Sequence, residues 1–175
     1  MVQLINYHQA DPISFTLDFI MRPIINIFCN CVRQTGIFFE MHGENTLLEL
    51  DNQFFPTRII YCDLDVFIDS STRIKLGLHT QFPEPQLVHR EYEKIYSLQY
   101  DGFIGHHLFD YIASLLEKYF FVDPRKIQNI CKQEFKQAFP DAHKYFKNRV
   151  FYYSNQLLPG NQYELIDTGN MPRWR

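Results

Sequence analysis

The sequence predicts an α+β fold in which a core helix precedes a small antiparallel sheet and a helical lobe follows. Apolar residues recur at helical spacing over residues 15–28, residues 46–67 are rich in apolar and β-branched side chains, and helical spacing returns after residue 87. The chain has 175 residues, of which 46% are hydrophobic. It is therefore long enough to bury a core. We expect one domain over residues 1–175, with sublobes of about 1–80 and 81–175.

The predicted core helix opens at Asp11 and Pro12, because aspartate caps free backbone amides and proline tolerates the first helical turn. Pro23 should kink or divide the helix, since it lacks an N–H donor. Gly36 offers a C-terminal stop. The apolar residues at helical spacing are Phe15, Phe19, Ile20, Ile24, Ile27 and Phe28.

Strands are predicted at residues 37–42, 46–50 and 57–67, with a polar turn at residues 51–53. A further short strand is expected at residues 74–78. Together these segments indicate a small antiparallel sheet.

The remaining sequence predicts helices from Pro85 onward, interrupted at Asp101 and Gly102. Asp123 and Pro124 start another helix by the same capping logic, and this helix should run to about Phe139. The last residues are expected to form a loop with a short extended piece.

Charge is unevenly distributed along the chain. Residues 1–116 carry 7 basic and 14 acidic groups, whereas residues 117–175 carry 10 basic and 6 acidic groups. The C-terminal basic residues stand at helical spacing and predict a solvated helix face rather than a nucleic-acid surface. No leader segment is apparent, and polar residues interrupt the longest apolar stretch at residues 15–31. We expect no membrane span and a cytoplasmic protein.

Cysteine spacing excludes a recognisable zinc or dithiol motif. The four residues, Cys29, Cys31, Cys62 and Cys131, follow no zinc or redox pattern. Reduced and mostly buried thiols are therefore expected.

Candidate functional side chains alternate along residues 40–44. If this segment is a strand, Glu40, His42 and Glu44 share one face. Asp63 and Asp65 would share a face of the next strand. Such rows are also typical of solvent-facing strands, so this alternative stays open.

Metal binding is a second use for these acidic side chains. Two carboxylates could hold Mg²⁺ together with substrate phosphates. A calcium loop is excluded, because Phe67 and Ile68 occupy positions where it needs polar ligands and glycine. A metalloenzyme built on Glu40, His42 and Asp63 would have a single imidazole, which is unusual for zinc or non-haem iron.

The chain, residues 1–175, resembles the C-terminal palm and thumb region of the IucA/IucC family of siderophore synthetases, most clearly over residues 15–70. The resemblance is carried by Glu-Met-His-Gly-Glu-Asn at residues 40–45, the apolar Thr46–Leu50, and Arg-Ile-Ile-Tyr-Cys-Asp at residues 58–63. It implies an ATP-dependent ligase of siderophore biosynthesis that adenylates a citrate-like carboxylate and joins it to an amine or hydroxylamine.

The resemblance also implies site residues, cofactors and partners. His42 would be catalytic, because charge developing on the α-phosphate needs a fixed donor. ATP and Mg²⁺ would be the cofactors, and the chain alone would be inactive without a separately encoded N-terminal region. A homodimer is allowed, and neither nucleic acid nor a membrane is expected. The implied nucleotide-binding residues are Glu40, His42, Glu44, Asn45 and Asp63, with Asp63 and Glu40 as metal ligands.

Two departures from the family pattern change the local charge. Glu44 stands where the family has glutamine, and Cys62 stands where it has arginine. Together they move the charge by about two units against an anionic ligand. The alternative is therefore a degenerate, non-catalytic domain that binds a partner or a siderophore-like ligand.

Overall fold

The computed structural model describes residues 1–62, 66–80, 92–158 and 162–175, and it confirms the α+β class. Two π-helical segments, Leu17–Met21 and Leu98–Phe109, continue directly into α-helices. The helices are α1 Val2–His8, α2 Pro12–Thr16, α3 Arg22–Thr35, α4 Ser70–Lys75, α5 Tyr92–Ser97, α6 Asp110–Phe120 and α7 Pro124–Ala138. The strands are β1 Ile37–Phe39, β2 Thr46–Leu50, β3 Pro56–Tyr61, β4 Val66–Ile68, β5 Phe151–Leu158 and β6 Gln162–Asp167.

The core helix begins and ends where the sequence predicts. The Asp11 carboxylate accepts a hydrogen bond from Ser14 N at 2.8 Å, and Gly36 ends α3 with a φ of 64°. A π-helical turn separates α2 from α3, and the N–H of Arg22 donates to the carbonyl of Leu17, five residues earlier. This wider turn lies directly before Pro23, where the α-helical bonding pattern loses a donor.

The continuous helix Pro12–Thr35 is long and apolar enough by composition to cross a membrane. However, 56% of its most apolar window is buried inside the protein. Ile24, Ile25 and Phe28 are completely buried in the hydrophobic core. In the described part of the chain this is the one helix of that kind, and it packs as a core helix.

The strands pair antiparallel, as predicted, but they form three separate two-stranded sheets. β1 pairs with β4, β2 with β3, and β5 with β6. The polar turn between β2 and β3 is confirmed, because the carboxylate of Asp51 accepts hydrogen bonds from the amides of Gln53 and Phe55 at 2.8 Å.

The predicted strand at residues 74–78 is wrong, because α4 occupies Ser70–Lys75. Asp69 caps this helix: its carboxylate accepts hydrogen bonds from the amide of Thr72 at 3.0 Å and from the Thr72 hydroxyl at 2.6 Å. The apolar residues after the cap favoured a strand, but the local side-chain bonds start a helix.

The predicted interruption at Asp101 and Gly102 is also wrong. The π-helix Leu98–Phe109 runs through both residues. A Cβ atom on Gly102 would lie 3.4 Å from the carbonyl oxygen of Phe151. Gly102 therefore lies inside the helix, in contact with β5, and does not end it.

The last predicted helix is confirmed as α7, with Asp123 accepting a hydrogen bond from Arg125 N at 2.9 Å. The residues beyond it contain more strand than expected, since β5 and β6 form a hairpin.

Aromatic contacts join residues from both predicted sublobes. The ring centroids of Phe28 and Tyr100 are 5.1 Å apart, and those of Phe38 and Tyr96 are 4.5 Å apart. The division into sublobes stays a prediction.

Candidate functional site

The predicted strand face at residues 40–44 does not form. β1 ends at Phe39, and Gly43–Asn45 is a 3₁₀ turn. The side-chain amide of Asn45 donates to the carbonyl of Glu40 at 3.1 Å, and the Thr46 hydroxyl donates to the carbonyl of His42 at 2.8 Å. These local bonds replace strand pairing and fold the segment into a loop.

The loop brings together three of the five predicted site residues. His42 Nε2 lies 4.0 Å from Glu40 Oε2 and 3.3 Å from Asn45 Nδ2. Asn45 is buried, whereas Glu44 is exposed. Asp63 lies outside the described residues. The site assignments therefore stay predictions, in a geometry that differs from the predicted strand.

A tyrosine of the C-terminal hairpin joins this loop. The Tyr153 hydroxyl donates to Glu40 Oε1 at 3.1 Å, across 113 residues of sequence. The Phe103 ring lies between the loop and the hairpin, with its centroid 5.5 Å from that of His42 and 6.0 Å from that of Tyr153. The π-helix thus supports the loop from one side.

His107 extends this surface along the π-helix. Its ring stacks on Tyr152 with centroids 5.2 Å apart and an interplanar angle of 13°. Partial burial lowers the pKa of His107, and positive charge on His106 and His42 would lower it further. Burial raises the pKa of Tyr152, with a further contribution from the nearby Glu40 carboxylate.

A cavity of about 230 Å³ lies between the π-helix and the C-terminal hairpin and tail. Gly102, His106 and His107 line it from the helix. Tyr152 and Trp174 line it from the other side. The cavity therefore combines aromatic faces with polar side chains, as small-molecule sites commonly do.

Both carboxylates of the cavity are already bonded to donors. Asp101 accepts from Arg175 Nε and Nη2 at 2.9 Å and from Ser97 Oγ at 2.8 Å. Burial raises the pKa of Asp101, and the Arg175 guanidinium opposes that shift. These bonds leave Asp101 little capacity to take up a ligand donor.

The second carboxylate, Asp110, holds the C-terminal tail. It accepts from Trp174 Nε1 at 2.9 Å, from His106 Nδ1 at 3.1 Å and from Arg173 Nη2. Its oxygens are therefore also occupied.

In contrast, the cavity contains hydrogen-bond donors that are available to a ligand. Arg173 bonds Asp110 through one nitrogen, and its side chain is 57% exposed. Among the described residues, neither the His107 ring nor the Tyr152 hydroxyl has a hydrogen-bond partner, and both line the cavity. A cavity with spare donors and occupied carboxylates suits an oxygen-rich, anionic ligand.

The four cysteines are free, as predicted, and none of them lines the cavity. Cys29 and Cys131 are buried, and burial raises the pKa of each thiol to about 12. Cys31 contacts Thr35, and the Cys62 thiol points to the carbonyl of Asn45. Within the described ranges, no three His, Cys, Asp or Glu side chains converge to hold a metal ion.

Sequence reasoning missed the contributions of His107, Tyr152, Tyr153 and Arg173. The roles of these residues depend on contacts with residues far away in sequence. One local signal was present, because His106 and Asp110 stand four residues apart and can meet on a helix.

A family model described as "Ferric iron reductase FhuF-like transporter" matches residues 16–157. The match overturns the predicted membership of the IucA/IucC family. It implies a role in iron- or siderophore-related processes, and it gives no support for an ATP-dependent ligase. No curated protein matches the chain.

Proposed function

We propose, from the premise that this chain belongs to the FhuF-like ferric iron reductase and transporter family, that it is a binding domain for a siderophore-type ligand. The observation that carries this proposal is the cavity beside the π-helix, in which donors are spare and both carboxylates are occupied. This function corresponds to the non-catalytic alternative of the sequence analysis.

Ligand chemistry supports this proposal. Chelators of ferric iron present carboxylate, hydroxamate or catecholate oxygens, which accept hydrogen bonds. Arg173 and the Tyr152 hydroxyl would donate to these oxygens, and the Tyr152 and Trp174 rings would cover the ligand's apolar atoms. A volume of about 230 Å³ suits one chelating arm more than a whole siderophore.

An electron-carrying role is less well supported by the described residues. A reductase needs a redox-active group, and iron–sulfur clusters are held by converging cysteine thiolates. Cys29 and Cys131 have raised thiol pKa values, whereas Cys31 and Cys62 contact Thr35 and Asn45. These cysteines do not fit a cluster, so the proposed function contains no electron-transfer step.

The ligands and partners expected from the sequence remain proposals. ATP with Mg²⁺ is therefore included as a ligand in the binding experiment. Direct binding measurements would test a separately encoded N-terminal region and amine substrates. A mass measurement in solution would test the homodimer.

The binding experiment uses Trp174, the single tryptophan of the chain, which lines the cavity. Fluorescence is followed while citrate, acetohydroxamate, 2,3-dihydroxybenzoate, their ferric complexes and ATP with Mg²⁺ are titrated separately. We expect at least one chelator to change Trp174 fluorescence saturably. Arg173→Gln should weaken that ligand about tenfold, because it removes a charge-assisted hydrogen bond.

The matched control is Arg125→Gln, since Arg125 is an exposed arginine at the start of α7. Its affinity for the ligand should equal that of the wild type. The proposal fails if no chelator produces a saturable change, or if both arginine variants bind equally well. A response to ATP with Mg²⁺ alone would favour a nucleotide site instead.

A further inference from the structure

We infer that His107 takes up a proton when an anionic ligand enters the cavity, and that ligand binding is therefore stronger at acidic pH. The inference rests on the proposed function and deepens it, because it assigns the residue that couples binding in this cavity to pH. His107 lines the cavity from the π-helix.

The side chain of His107 differs from that of its neighbour in its bonding. His106 Nδ1 lies 3.1 Å from Asp110 Oδ2, whereas the His107 ring has no hydrogen-bond partner among the described residues. A neutral imidazole carries one donor and one acceptor nitrogen, and a protonated imidazole carries two donors. A ligand carboxylate offers only acceptors, so it binds the protonated ring of His107 better than the neutral ring.

Without a bound anion, the surroundings of His107 favour the neutral ring. Partial burial lowers the pKa of His107, and positive charge on His106 and His42 lowers it further. Glu44, on the loop after β1, acts in the opposite direction. The ring is therefore mainly neutral at pH 7 before the ligand binds.

The two carboxylates that line the cavity are already paired with arginines. Asp110 pairs with Arg173, and Asp101 pairs with Arg175. A ligand anion would thus bring a negative charge that is not yet paired. Such a charge raises the pKa of a neighbouring histidine, so the His107 ring gains a proton from solvent.

Tyr152 supports the protonated ring from β5. The rings of His107 and Tyr152 stack with an interplanar angle of 13° and with centroids 5.2 Å apart. This geometry allows a cation–π contact between an imidazolium and the face of the phenol. Burial and the Glu40 carboxylate raise the pKa of Tyr152, so its hydroxyl stays protonated and can donate to the ligand.

The direction of the pH effect follows from the number of bound protons. Between the free and the ligand-bound pKa values of His107, the complex holds more protons than the free protein. Affinity therefore rises as pH falls through this interval and is constant above it. The free pKa lies below its ordinary value of 6.5, so the rise continues below pH 6.5.

The experiment is isothermal titration calorimetry of the purified chain with 2,3-dihydroxybenzoate at pH 8 and pH 5.5. This probe keeps one negative charge over that range, because carboxyl groups ionise well below it and phenols well above it. Affinity should rise about threefold to tenfold at the lower pH, since one pKa unit corresponds to a tenfold change in an equilibrium constant. Titrations near pH 6 in two buffers of different ionisation enthalpy should show net proton uptake. The matched neutral ligand, 2,3-dihydroxybenzamide, should bind equally at both pH values.

Histidine variants assign the proton to one ring. His107→Gln keeps a polar side chain that does not titrate, so its affinity for the probe should change less than about twofold between the two pH values. His106→Gln should keep the pH dependence, because His106 already bonds Asp110. His143→Gln removes an exposed histidine that does not line the cavity, and it should behave as the wild type.

Equal wild-type affinity at both pH values overturns the inference, as does a pH dependence that survives in His107→Gln. Absence of dihydroxybenzoate binding at both pH values also overturns it. If His107→Gln does not fold, wild-type titrations without net proton uptake overturn it instead.

Failure of the proposed function gives a different result. In that case no chelator binds saturably, or Arg173→Gln binds as tightly as the wild type. A chelator that depends on Arg173 but binds without proton uptake removes only the inference about His107.

Discussion

The buried polar residues of this protein differ in how many hydrogen bonds their side chains form. Asp69 is 1% exposed and accepts hydrogen bonds from Ser71, from both donors of Thr72, and from Tyr96. Gln99 is completely buried, and neither polar atom of its amide has a hydrogen-bond partner within the described residues. An unsatisfied buried amide costs free energy that an apolar side chain would not.

Gln99→Met should therefore stabilise the protein. Methionine has a similar shape and no amide to desolvate, so we expect the free energy of unfolding to rise by about 1–3 kcal/mol. Urea unfolding followed by circular dichroism measures the change. Asp69→Ala is the contrasting variant, and it should lose stability because it leaves four donors without an acceptor.

The pKa of His107 gives a prediction for pH dependence. Burial lowers this pKa from its ordinary value of 6.5. The folded state therefore prefers the neutral ring. Its contribution to stability is present above about pH 6.5 and is lost as pH falls through the lower, folded-state pKa. Urea unfolding of the wild type and of His107→Gln at pH 7 and pH 5 should show a smaller acid destabilisation in the variant. Equal pH dependence would contradict this interpretation.

At the scale of elements, the junction between α3 and β1 depends on Gly36. Its φ is 64°, and a Cβ atom there would lie 2.8 Å from Arg73 Cγ and 2.9 Å from the Asp69 carbonyl oxygen. Gly36 thus turns the chain out of the core helix and lets α4 pack close to it.

Gly77 provides a matched comparison, since its φ is 67° and a Cβ atom there would have no neighbour within 4 Å among the described residues. Gly77→Ala should cost only the left-handed backbone penalty of about 1–2 kcal/mol. Gly36→Ala should cost more, because it adds steric overlap to the same penalty. Chemical denaturation of both variants measures the difference, and equal losses would refute the packing role of Gly36.

An element could be predicted from sequence when the residues that determine it are close together in the chain. Asp11, Asp123 and Gly36 act on neighbouring backbone groups, so the helix boundaries that they set could be predicted from sequence. The π-helix could not, because bonding five residues back leaves no distinct hydrophobic period. The contact between Glu40 and Tyr153 could not either, since it joins residues 113 positions apart.

At the scale of the whole molecule, a buried charge pair holds the C-terminal tail against the π-helix. The Asp101 side chain is 1% exposed and pairs with Arg175, whose side chain is 12% exposed. Arg175 also donates to the carbonyl of Lys147 and lies over the Phe146 ring, 4.4 Å from its centroid. The Arg175 side chain thus joins the C-terminal tail to the π-helix and to residues 146–147.

Arg175→Gln should destabilise the protein by about 3–5 kcal/mol, because it leaves the buried Asp101 carboxylate without its counter-charge. The double variant with Asp101→Asn should recover part of the loss, since the buried charge is then absent. Thermal and urea unfolding provide the measurement. Arg125→Gln breaks an exposed pair and should leave stability almost unchanged. A single variant no less stable than this control would contradict the closing role of the pair.

The separation of Asp101 from Arg175 also affects synthesis of the protein. Residue 101 leaves the ribosome well before residue 175, so the nascent chain for a time contains the acid without its counter-ion. Burying that charge alone is costly, which favours a solvated Asp101 and delays docking of the π-helix. We therefore expect the pairing of Arg175 with Asp101 to be a late event in folding.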